Sequence, residues 1–135
     1  MNVRSALEYV PYFRGRLFVV QVSAALLDAA ELVDALLDAD ALHAMKEAGT
    51  VWVPTLSTIG NLLGKERFCQ HAVAQILESA LMNLEQFHGM GGLVAPGTDA
   101  GAWAVPHGAC TEAALLEKAG ITDTLAAQAV IKNKF

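Results

Sequence analysis

Charge is scarce in this chain. Only 17% of its 135 residues are Asp, Glu, Lys or Arg, while 54% are hydrophobic and mean hydropathy is +0.39. A disordered chain needs the opposite balance, so disorder is excluded. Basic residues are fewer still. Nine Lys and Arg stand against fourteen Asp and Glu, giving net −5 and a pI near 5.2. The nine are scattered, and only Lys132-Asn133-Lys134 approaches a cluster. Nucleic-acid binding needs a basic face, so it is not expected. No run of 18 uncharged apolar residues occurs, so no transmembrane helix is expected. No basic-then-apolar leader opens the sequence, so no signal peptide is expected and the protein reads as cytoplasmic. Two cysteines, Cys69 and Cys110, lie far apart and outside any CxxC, which fits reduced thiols in the cytosol.

What the chain does have is apolar periodicity. Leu17–Ala24 is a short β-branched run, suited to a parallel sheet covered on both faces. Residues 25–37 are rich in Ala and Leu, and their apolar positions fit a helix at least as well as a strand. Residues 40–48 read as a second helix, with Asp40 as N-cap and Gly49 as stop. Val51–Thr55 reads as a strand closing at Pro54, and residues 56–68 as a loop. From Cys69 to Phe87, Val73, Ile76, Leu77, Ala80, Leu81 and Leu84 form one helical stripe. Leu93–Pro96 is a third strand. Helices follow over Thr111–Lys118 and from a cap at Thr122 or Asp123 towards Lys132. This alternation predicts a single α/β domain over 1–135 with a parallel sheet.

In such folds function gathers in the loops at the strands' C-terminal ends. Two loops qualify: Pro54-Thr55-Leu56-Ser57-Thr58, and Gly97-Thr98-Asp99-Ala100-Gly101 with Pro106-His107-Gly108 beyond it. Asp99 can serve there as hard-metal ligand or general base, or as the aspartate of a local turn. His107, eight residues on, can reach the same mouth or simply be solvated. Trp103 can wall a pocket. Ser57 and Thr58 have no evident activating base in the sequence. No HxH, HExxH, P-loop or GxGxxG occurs, so nucleotide binding lacks support.

The segments ALHAMKEAGTVWVPTLSTIGNLLG, GTDAGAWAVPHG and EAALLEKAG together resemble the amidohydrolase superfamily, most closely its prolidase- and imidazolonepropionase-like members. The likeness runs over about residues 17–135. It implies a metal-dependent (β/α)8 hydrolase of carbon–nitrogen bonds in cyclic amides, amidines or peptides, with zinc the expected metal. On this mapping Phe18–Ser23 is strand five, Val33-Asp34 opens strand six, Val51–Pro54 is strand seven and Leu93–Pro96 strand eight. Asp99 matches the aspartate that binds metal and takes a proton from the attacking water. Thr55, Trp103 and His107 are then the expected substrate contacts.

The chain also departs from the family pattern. A complete barrel needs roughly 250 residues, and the segment matching the first four strands, with its HxH pair and bridging residue, is absent. Gln21 stands where strand five has histidine, and Leu37-Asp38-Ala39 where strand six has Glu-His-Gly. Only Asp99 remains of the usual ligands, and a catalytic zinc needs three from protein. The expectation is a partial barrel of strands five to eight that needs a complementary half or is catalytically silent. Open edges and an uncovered sheet face would favour self-association.

Overall fold

The structure, a computed structural model, describes residues 39–101 and 105–133. The expected elements before residue 39, with Gln21, and the loop residue Trp103 lie outside the described residues. In chain order the elements are α1 (Ala39–Glu47), β1 (Val51–Trp52), α2 (Ser57–Gly60), α3 (Gln70–Gly89), β2 (Leu93–Val94), α4 (Thr111–Lys118) and α5 (Leu125–Lys132).

β1 and β2 pair in parallel, with Val51 opposite Leu93 and Trp52 opposite Val94. The Ala95 amide extends the ladder to the Trp52 carbonyl at 2.9 Å. A parallel pair needs a crossover, and α2 and α3 supply it. The ladder is shorter than the apolar runs suggest. Pro54 and Pro96 lack the N–H a ladder needs, so pairing stops before them. The described residues thus form helices around a small two-stranded parallel sheet, an α/β arrangement at its smallest.

Successive strand residues point to opposite faces, and both faces of this pair are covered. Trp52 and Val94 join the main core with Leu42 and Met45 of α1, Ile59 of α2, Val73, Ile76, Leu77, Leu84 and Phe87 of α3, and Leu116 of α4. Val51 and Ala95 pack on the other side against Ala127 of α5, with Val130 and Ile131 at the margin.

The stripe read from the sequence of α3 is the face it buries: Val73, Ile76, Leu77 and Leu84 are buried, and Phe87 extends the row. Gln75, Glu78 and Glu85 are exposed. The helix runs two residues past Phe87, taking in His88 and Gly89. At the C-terminal end of α1, Gly49 takes φ +67, the left-handed geometry that releases the chain into β1. Asp40, the expected N-cap, lies instead inside the first turn of α1, which already includes Ala39. At α5 the N-cap is Thr124, one residue past the expected Thr122 or Asp123, and the Asp123 carboxylate accepts the Leu125 amide at 3.0 Å. The expected loop over 56–68 contains α2. Its remainder is folded around Gln70, which accepts the Gly64 amide at 2.8 Å and donates to the Lys65 carbonyl at 2.7 Å.

Trp52 and Phe87 meet edge to face, centroids 5.5 Å apart at 72°. The Phe87 ring lies so close over Gly92 that a Cβ there would collide with three ring carbons. Because Phe87 is fully buried, the ring has nowhere to go. Gly92→Ala should lower stability by about 1–3 kcal/mol through overpacking, read as a reduced urea midpoint with unchanged slope.

Among the described residues no helix is long and apolar enough to cross a membrane. Both cysteines are free and exposed.

Candidate functional site

Because β1 and β2 run the same way, the segments after them emerge at one edge. Thr55 follows β1 and Asp99 follows β2, and each has a positive φ, +50 and +52. They are the two non-glycine residues so placed among the described residues. Asp tolerates this region because its short side chain bonds locally. A β-branched threonine does not, and such a conformer costs about 1–3 kcal/mol unless its surroundings hold it. Thr55 is buried, and its carbonyl accepts both the amide and the hydroxyl of Thr58, at 3.2 and 2.8 Å.

The loop after β2 is closely fitted. A Cβ on Gly97 would run into the Val53 side chain, so glycine lets the two emerging segments touch. The Ala100 amide donates to Thr98 Oγ1 at 3.2 Å, and the Gly101 amide to the Val105 carbonyl at 3.0 Å. That second bond folds the chain back and brings His107 to the loop. Its Nε2 lies 3.6 Å from where a Gly101 Cβ would be. Asp99 and His107 are both exposed at this mouth, whereas Thr55 faces inward. The three described residues expected at the mouth are therefore brought to one edge.

Beneath the mouth is a group that the sequence reading passes over. Glu112, in the first turn of α4, is 2% exposed. Its Oε1 accepts the Leu56 amide at 3.0 Å. Its Oε2 accepts the Ser57 amide at 2.7 Å and the Ser57 hydroxyl at 2.6 Å. The Ser57 hydroxyl also lies 3.5 Å from the Thr98 carbonyl, a long contact across to the second loop. Leu56 opens α2 without a side-chain cap of its own. Glu112 satisfies the free amides from outside, and its negative end suits a helix N-terminus. A sequence signal for it does exist. Glu112, Leu116 and Ala119 fall on one helical stripe, so the carboxylate sits on the buried face of α4.

Ser57, for which the sequence offers no evident activating base, thus has the Glu112 carboxylate beside it. The pairing does not make Ser57 a nucleophile, however, because Ser57 is fully buried and no substrate can reach its hydroxyl. Thr58, the next residue, gives its hydroxyl to the Thr55 carbonyl. His43 and His71 are exposed on α1 and α3. His88 is half-buried in the last turn of α3, with a buried Nδ1 that has no hydrogen-bond partner among the described residues.

Among the described residues no three His, Cys, Asp or Glu side chains converge into a metal-holding group. Asp99 offers one carboxylate, and a zinc centre needs three protein ligands. The described residues by themselves do not fit a zinc ion. No family model, curated protein or solved structure matches the chain.

Proposed function

We propose that this chain is the rear part of an amidohydrolase-type (β/α)8 barrel, acting on carbon–nitrogen bonds of small amide-type substrates when the remaining strands are supplied. The observation that supports this reading is Asp99, an exposed carboxylate in a left-handed turn at the C-terminal edge of a parallel strand pair. Barrel enzymes carry their catalytic groups at that edge. Asp99 takes a proton from the attacking water. His107, beside Gly101, contacts the substrate or its leaving group, and Thr55 shapes the opposite wall. Zinc binding requires ligands from outside the described residues, and no step is routed through a metal here.

The test is co-expression of the full chain with a front-half barrel chain bearing HxH, assayed on cyclic amides and dipeptides. Asp99→Asn keeps the side chain's shape and tolerance of positive φ. It should lower turnover by about 10²-fold or more, the contribution of a positioned general base. Equal turnover in the variant removes Asp99 from the chemistry.

A second reading is favoured by the position of α5. In a closed barrel the helices lie outside and the inner face is filled by strand side chains. Here α5 packs on the second face of β1 and β2, through Ala127 against Val51 and Ala95. A sheet with helices on both faces is self-covered, which suits a catalytically silent module that folds without a complementary half-barrel. Absence of hydrolysis in every co-expression, with the chain alone stably folded, favours this second reading.

A further inference from the structure

We propose that Glu112 is the positioning residue of the mouth: one buried carboxylate sets the backbone after Thr55 and, through the Ser57 hydroxyl, the loop that carries Asp99. A left-handed non-glycine residue follows each strand at this edge, Thr55 at φ +50 and Asp99 at φ +52. Such conformers persist only where neighbouring bonds over-determine them. For Thr55, the two amides that follow it are both taken by Glu112. For Asp99, the preceding carbonyl, that of Thr98, lies 3.5 Å from the Ser57 hydroxyl, whose one hydrogen is shared between this long limb and Glu112 Oε2 at 2.6 Å. Glu112 therefore touches the first loop directly and the second through one atom, from a helix that belongs to neither loop.

Its role is not that of a base. Ser57 is fully buried, so no substrate reaches the hydroxyl between them. Glutamate is the side chain this place demands. Two backbone amides and one hydroxyl converge on its two oxygens, and all three donate. Glutamine would turn an NH2 group towards at least one of these donors and leave it unmatched. This role bears on the hydrolase reading by fixing the reach of Asp99, yet it stands on geometry that a silent module would share. The experiment therefore reads backbone protection, not hydrolysis, and either idea can fail without the other.

Amide hydrogen exchange in the full chain separates the possibilities. In Glu112→Gln, the Leu56 and Ser57 amides should exchange about tenfold faster or more, the factor for losing one good hydrogen bond. Asp99 and Gly101 should accelerate with them, while Leu84 and Phe87 inside α3 stay as protected as before. Acceleration confined to Leu56 and Ser57 would reduce Glu112 to a local cap, and an equal rise throughout α3 would make it a general core residue. Either result, or no change at all, overturns the proposal. Ser57→Ala keeps both amide bonds and removes only the bridge, so it remains informative if the first variant does not fold. It should loosen Asp99 and Gly101 while the amides of residues 56 and 57 keep their protection. If Asp99 and Gly101 are unchanged in it, the link between the loops does not exist.

Discussion

Replacing Glu112 by alanine should lower the unfolding free energy by about 3 kcal/mol, measured by chemical denaturation. The size follows from what is left behind. The Leu56 amide, the Ser57 amide and the Ser57 hydroxyl all lose their acceptor at once. A buried donor without a partner costs about 1–3 kcal/mol. The sum falls below three full penalties because water can enter the space of the lost side chain and answer some of the donors. Alanine's better helix propensity returns only a few tenths. Glu117, exposed on the same helix, is the control: its alanine variant should stay within about 0.5 kcal/mol of the parent. If the two variants are equally stable, the buried network is not a stabilising feature.

Phe87→Ala should cost about 3–5 kcal/mol, the range for removing a buried aromatic side chain. Phe87 is fully buried, meets the Trp52 ring edge to face and closes over Gly92. It ties the end of α3 to both strands, so the loss combines transfer energy, a cavity and an aromatic pair. Collapse into the cavity is limited because Trp52 sits on a strand held by its ladder. Phe87→Leu should recover much of the loss. A Phe87→Ala variant within about 1 kcal/mol of the parent would mean that this corner repacks freely.

Some of this architecture was open to reading from residues alone. The long helix α3 was legible because Val73, Ile76, Leu77 and Leu84 repeat at helical spacing, and that spacing is a local property of the chain. The strand positions were legible at Val51-Trp52 and Leu93-Val94, but their lengths were overestimated. Apolar runs mark burial, whereas pairing also needs N–H groups, and Pro54 and Pro96 have none. The mouth was legible in part: Asp99, Thr55 and His107 were picked out and the fold brings them to one edge, while Trp103 lies outside the described residues. α2 was missed because four residues carry no periodicity, and the group that caps it lies 55 residues away.

The sequence by itself determined the elements whose cause is local: apolar stripes, turn glycines, and prolines that end a ladder. It also determined which side chains could do chemistry at the strand ends. Only the tertiary structure decided that α5 covers the second sheet face, and that Glu112 sits beneath the mouth with three donors converging on it. Both depend on which distant segments meet. That is set by the summed burial of the whole chain, and no short window of residues encodes it.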